Sequence, residues 1–223
     1  MKLLAIDTAT DACSAALSID GEIRERFEVA PRAHTELILP MIDELMAEAG
    51  LVIGQLDALA FGRGPGAFTG VRIAVGVAQG IAFAADLPVV PVSTLAALAQ
   101  GAEADKVLAA LDARMDEVYW GAYMRNGAGL MEAVGEEHVS APEQVPLPPG
   151  DAWQGVGEGW AAYETALMQR CAGQVGAWDA KALPRARDVV RLGEAAAGDG
   201  RLLAAEQALP VYLRDKVTWK KVR

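Results

Sequence analysis

The chain has 223 residues, of which 52% are hydrophobic and 22% charged, and a formal net charge of −10. That length can bury one large core or two small ones. The charged share excludes disorder, and the acidic balance argues against a broad nucleic-acid footprint. Met1–Asp7 lacks the longer apolar stretch of a signal peptide, and the apolar run Ile73–Ala85 falls short of the roughly 20 residues that span a bilayer. A cytoplasmic protein without membrane contact is expected.

In chain order, Lys2–Asp7 reads as a strand ending in an acid. Cys13, Ala15, Leu17 and Ile19 alternate as a second strand, and Asp20-Gly21 is a dipeptide that accepts a type I′ hairpin turn. A helix follows, with Thr35 as N-cap and Gly50 as its stop; Pro40 gives up one backbone bond. Leu37, Ile38, Met41, Ile42, Leu45 and Met46 form a stripe that Leu39 widens. Such a stripe either covers a core and a partner together or is simply well buried. Asp57–Gly62 reads as a short buried strand running into Arg63-Gly64-Pro65-Gly66-Ala67-Phe68-Thr69-Gly70-Val71-Arg72. Thr69 can then cap a helix to about Ala85. Glycine costs about 1 kcal/mol against alanine inside a helix, so Gly76 and Gly80 need a reason: they admit a second helix, from this fold or another subunit. Val89–Val92 is a strand, and Ser93 or Thr94 starts the next helix.

Lys106–Asp112 then echoes Lys2–Asp7 with one residue inserted, and Asp116 follows Asp112 as Asp11 follows Asp7. Val118, Trp120, Ala122 and Met124 alternate, and Asn126-Gly127 signals a second hairpin. The repeat predicts a duplicated α/β unit with lobes 1–104 and 105–223. Ser140–Gly159 reads as loops with one short strand around Trp153–Val156, and Arg185–Ala197 as the last helix. Leu209–Arg214 leads to a tail, 214–223, with five cations against Asp215. It either contacts RNA, phosphate or an acidic partner or is a solvated end.

Asp7 and Asp112 end strands where α/β sheets place polar work, and paired acids there suit a magnesium–nucleotide complex. Yet Thr8–Ser14 holds no glycine to let backbone wrap a phosphate, and 113–117 is bulky and charged, so a nucleotide site would be weak. Gly64-Pro65-Gly66 before a helix offers amides to an anion, with Arg63 and Arg72 at hand; a tight turn is the alternative. No Gly-Lys-Ser/Thr follows, so it is not a Walker loop. The weak anion- or nucleotide-proximal set is Asp7, Thr8, Gly64, Gly66, Asp112, Gly157 and Gly159. No catalytic residue is expected: none of the four serines sits in a nucleophile elbow. His34 and His138 lack metal-ligand spacing, so no metal is expected either. Cys13 and Cys171 read as buried thiols, with a disulfide left open.

Ala5-Ile6-Asp7-Thr8-Ala9-Thr10, Gly64–Ile73, Asp112–Tyr119 and Leu209–Arg214 together resemble the bacterial TsaB (YeaZ) family over nearly the whole chain. The resemblance implies an actin-like fold (sugar kinase/heat-shock/actin superfamily) of two duplicated lobes. It implies a non-catalytic subunit acting with TsaD, TsaE and TsaC to form threonylcarbamoyladenosine in tRNA. TsaD carries metal on a His-x-x-x-His pair; Thr94 and Leu98 stand in those places here, so that chemistry is not expected in this chain. The resemblance further implies a heterodimer with TsaD and a homodimer when alone. The first-lobe helices would form the interface, through Leu37, Met41, Leu45, Arg72, Gly76 and Gly80. tRNA would be met mainly through the complex, with no intrinsic cofactor and only weak ATP or ADP with magnesium in the assembly. An ATP-dependent small-molecule kinase of the same fold is the competing expectation.

Overall fold

In the computed structural model, which describes residues 1–214, the first sheet contains β1 (Lys2–Asp7), β2 (Ala12–Ile19), β3 (Glu22–Val29), β4 (Ala58–Gly62) and β5 (Val89–Val92). Their order is β3-β2-β1-β4-β5. β2 runs antiparallel to both neighbours, whereas β1, β4 and β5 are parallel. Asp20 and Gly21 both take positive φ, 51° and 92°, the turn their dipeptide predicts.

Helices α1 (His34–Ala49) and α2 (Phe68–Ala85) cover one face, packing Ile38, Leu45, Ala74 and Ala78 against Leu4, Ile6, Leu17 and Phe61. The other face, Leu3, Ala5, Ala60 and Val90, is covered by Val189 and Val190 of the last helix, α6 (Ala186–Gly198). β2 is therefore buried from Ala12 to Ser18, although its alternation reads as a one-sided strand. Small residues on its second face let α6 approach.

The second sheet holds β6 (Lys106–Arg114), β7 (Glu117–Arg125), β8 (Met131–Ala133), β9 (His138–Ser140), β10 (Trp153–Val156) and β11 (Val175–Asp179). Its order is β11-β10-β6-β7-β8, with β9 also on β7. With β8 and β9 together taking the third place beside β7, both sheets run third-second-first-fourth-fifth, with the second strand antiparallel. This is the duplicated actin-like arrangement. Only a short 3₁₀ turn, Pro142–Gln144, stands where the first lobe has α1, and α4 (Gly159–Ala162) and α5 (Glu164–Arg170) follow β10. Trp120, Trp153 and Trp160 fill this lobe's core, and Gly155 leaves room for the Trp160 ring.

The lobes exchange helices. α3 (Thr94–Gln100) belongs to the first repeat, yet Leu95 and Leu98 pack on Val107, Ala109 and Leu111 of the second sheet, just as α6 crosses back to the first. Three local expectations are corrected. Thr35 lies inside α1, whose N-cap is Ala33, and Thr69 lies inside α2, whose N-cap is Ala67. The second hairpin turns over five residues, from Arg125 to its partner Met131, and Gly129 rather than Gly127 takes positive φ. There the Asn126 side chain accepts from Ala128 and Leu130 amides at 2.9 and 3.0 Å, so a local side-chain turn outcompetes the two-residue one. Ser93 does cap α3, accepting from the Ala96 amide at 3.3 Å. The tail reading from Asp215 onward lies outside the described residues.

Candidate functional site: the cleft between the lobes

A cleft of about 540 Å³ separates the lobes. The first lobe lines it with Ala9–Asp11, Gly66–Phe68 and Arg72, and the second with Leu111–Arg114, Tyr119 and Glu158. Tyr212 and Arg214 come from the C-terminal segment.

The loop after β1 is closed rather than open. Thr8 Oγ1 donates to the Gly70 carbonyl at 2.7 Å, and the Ala67 amide at the start of α2 donates to the Ala9 carbonyl at 2.7 Å. A β-carbon on Gly66 or Gly70 would overlap the carbonyls of Ala9 and Thr8. These glycines therefore let two backbone segments touch. The second lobe repeats the device: Gly157, at φ 100°, and Gly159 lie against the backbone of Ala110.

Of the seven residues expected near an anion, Gly66 and Asp112 line the cleft; Asp7, Thr8, Gly64, Gly157 and Gly159 do not. Asp7 and Thr8 are fully buried, because β1 is the central strand and its end is roofed by the Gly66–Gly70 contact. Asp7 Oδ1 accepts from the Ala9 amide at 3.0 Å, whereas Oδ2 has no partner among the described residues. Burial pushes its carboxyl up to about 6. Gly64, at φ 97°, packs against the Val211 carbonyl.

Asp112 pairs with Arg114 at 2.7 Å and accepts from the Tyr163 hydroxyl at 3.0 Å. Glu158 is raised above the usual carboxylate range, first by burial and then by the charges of Asp11 and Asp112. At the mouth, the Arg72 guanidinium lies 3.5 Å from the Phe68 ring centroid, and its Nε donates to the Tyr212 hydroxyl at 2.9 Å. Stacking on a ring suits guanidinium. Sequence reasoning missed Phe68, Tyr212, Arg214 and Glu158. The first three lie inside the quoted motifs, and Glu158 stands between two glycines that were noticed for their own sake.

The expected partner face divides. Leu45 and Met41 point into the first lobe's core, at 0% and 7% exposure, and Leu37 packs half-buried against it, so Leu45 and Met41 leave that face. Gly76 and Gly80 lie on the open side of α2: among the described residues a β-carbon on either meets nothing within 4 Å. Phe83, a turn further on, is 79% exposed. α2 is long and apolar enough by composition to cross a membrane, yet only a third of it is buried. Thr94 and Leu98 are both buried within α3, and the Thr94 hydroxyl has no partner among the described residues.

Two lobes of one topology around a shared cleft define an actin-like protein. Residues 27–222 match the family described as "TsaD: tRNA N6-adenosine threonylcarbamoyltransferase". The chain is 45% identical to the tRNA threonylcarbamoyladenosine biosynthesis protein TsaB of Escherichia coli, over 100% of this chain and 98% of that protein. It is also 45% identical to the TsaB of Haemophilus influenzae, over 100% and 97%. A solved structure of YeaZ from Pseudomonas aeruginosa is 50% identical, covers 95% of this chain and 99% of its own, and superposes with a TM-score of 0.88. The chain belongs to the TsaB (YeaZ) family.

Proposed function

We propose that this protein is a non-catalytic scaffold subunit in the formation of threonylcarbamoyladenosine in tRNA, binding and supporting a TsaD-type catalytic subunit in the cytosol. The observation that carries the reading is the open face of α2. Among the described residues its apolar residues, Gly76 and Gly80 find no cover, and an unpartnered apolar face of this kind marks a docking site. A helix approaching across Gly76 and Gly80 could come closer than over larger side chains. The same face serves self-association when no partner is present, and TsaE, TsaC and tRNA are engaged through the assembly.

The test is co-purification with TsaD. Gly76→Leu and Gly80→Leu should fold with a melting temperature no lower than the parent's, since the added β-carbon meets nothing within 4 Å among the described residues and Leu favours a helix over Gly, and should weaken TsaD capture at least tenfold. Unchanged capture by both would remove α2 from the interface.

The competing reading is an ATP-dependent kinase of the same fold, with the cleft as its site. With the backbone of Thr8–Ala9 closed on Gly66–Gly70, ATP with magnesium should bind the isolated chain weakly. Calorimetry is expected to give no saturable heat at micromolar ATP. Tight binding with turnover would sink the scaffold reading. A protease reading finds no serine bonded to a histidine among the described residues. Ser14 accepts from the Ala186 amide, Ser18 donates to Glu194, and His34 bonds the Thr10 carbonyl.

A further inference from the structure

The residues after α6 retrace the first lobe and then leave it. Leu203 bridges to Val89 on the outer edge of β5 through two backbone bonds of 2.8 and 2.9 Å. Gln79 Nε2 of α2 donates to the Ala208 carbonyl at 2.8 Å, and the Val211 amide donates to the Arg63 carbonyl at 2.9 Å. Tyr212 then accepts from Arg72 at the start of α2. Two residues later the chain has reached the other lobe. The Arg214 guanidinium donates to the Glu117 carboxylate through Nε at 3.0 Å and through a second nitrogen. It also donates to the carbonyls of Ala113 and Arg114 at 3.1 and 3.3 Å, and meets Met115 Sδ at 3.5 Å.

What Arg214 grips is strained. Arg114, Met115 and Asp116, at the β6–β7 turn, have φ of 61°, 59° and 60°. Three successive non-glycine residues thus sit in the left-handed region that side chains disfavour. Such a turn persists only where its surroundings over-determine it. Asp112 holds it from within, accepting from the Arg114 amide at 2.8 Å, and Arg214 holds it from outside. Tyr212 and Arg214 both line the cleft, whereas no residue of the crossed helices α3 and α6 does. The lobes are joined through those helices and tied again across the cleft.

We propose that residues 209–214 form a strap across the cleft, with Arg214 as its fastening to the second lobe. Releasing Arg214 relaxes the β6–β7 turn and lets the lobes part, so that anything competing for Glu117 or the Ala113 and Arg114 carbonyls opens the cleft. The arrangement stands independently of which partner α2 binds.

Spin labels on Ala47→Cys in α1 and Gln169→Cys in α5, both exposed, report the interlobe distance; Cys13 and Cys171 are buried and stay unlabelled. In the full chain, Arg214→Ala should lengthen and broaden that distance distribution and raise amide exchange at 113–117 at least tenfold. Arg214→Lys keeps the charge but loses the fork that reaches several acceptors, and should fall between. Tyr212→Phe, removing one first-lobe bond while Val211 stays on Arg63, should widen the distance less than Arg214→Ala and leave exchange at 113–117 unchanged. Faster exchange in Arg214→Ala with an unchanged interlobe distance would overturn the strap, leaving a local turn clamp. An unchanged turn would overturn it too. Should Arg214→Ala not fold, the Lys and Phe variants decide by the same two readouts.

Discussion

Gly70→Ala should cost about 3 kcal/mol of stability, the upper end of the usual range for overpacking a filled site, whereas Gly76→Ala and Gly80→Ala in the same helix should each gain up to about 1 kcal/mol. The contrast follows from what a β-carbon meets. At Gly70 it would overlap the Thr8 carbonyl oxygen. That atom belongs to backbone, so no rotamer change relieves the clash. The carbonyl follows directly on β1 (Lys2–Asp7), the central strand, and Gly70 is held by its own carbonyl, which accepts the Thr8 hydroxyl. Separating the two segments by an ångström would break that bond and the Ala67–Ala9 bond together. At Gly76 and Gly80 the added methyl enters open space and only removes freedom from the unfolded chain. Urea unfolding of the three variants measures the difference. A Gly70→Ala midpoint matching the parent would show that the loop after β1 yields and that its contact with α2 is not tight. Gly157→Ala is the second-lobe counterpart: its β-carbon would overlap the Ala110 carbonyl, and its φ of 100° adds backbone strain. It should be destabilised by a similar amount.

The same glycines show how far the sequence could be read. The strands β1, β2, β4, β5, β6, β7 and β10, the Asp20-Gly21 turn and the repeat were legible because alternation and turn chemistry are local, whereas the short β8, β9 and β11 carry too little alternation to read. The exchange of α3 and α6 was not, since each helix's apolar face looks alike whichever sheet it covers. Gly64–Gly70 was recognisable as a junction, but whether its amides face an anion or another backbone depends on Thr8 and Ala9, some 60 positions away in the chain. Met41 and Leu45 fell in a stripe too broad to divide by periodicity into core and surface. Gly76 and Gly80 were marked by their cost in a helix, and the structure locates that cost on an open face. The Arg72–Phe68–Tyr212 cluster joins residues 140 positions apart in sequence, beyond any spacing rule.

Acidification should stabilise the protein, and Asp7 is the main reason. Its carboxyl is fully buried with one oxygen unpartnered among the described residues, and burial lifts it from 3.8 to about 6, against a smaller lowering by the Ala9 amide. The folded value lies above the unfolded one, so the folded state binds the proton more tightly. The stability this group contributes is fully present below about 4 and is lost as pH rises through about 6. A shift of roughly two units corresponds to about 3 kcal/mol. Asp188, also raised to about 6 because burial outweighs the nearby Arg191 and Arg187, acts in the same direction. Carboxylates held low by partners oppose them only at more acid pH; Asp20 beside the N-terminal amine is one. Thermal unfolding should therefore show a higher melting temperature at pH 5 than at pH 8. Asp7→Asn keeps an acceptor for the Ala9 amide and removes the buried charge. It should be about 2 kcal/mol more stable than the parent at pH 8, somewhat less than the full charge penalty because the new amide also lacks a partner. At pH 4.5 the two should be equal or reversed in order. If the variant and parent ran parallel across this range, the Asp7 carboxyl would have to be solvated or paired.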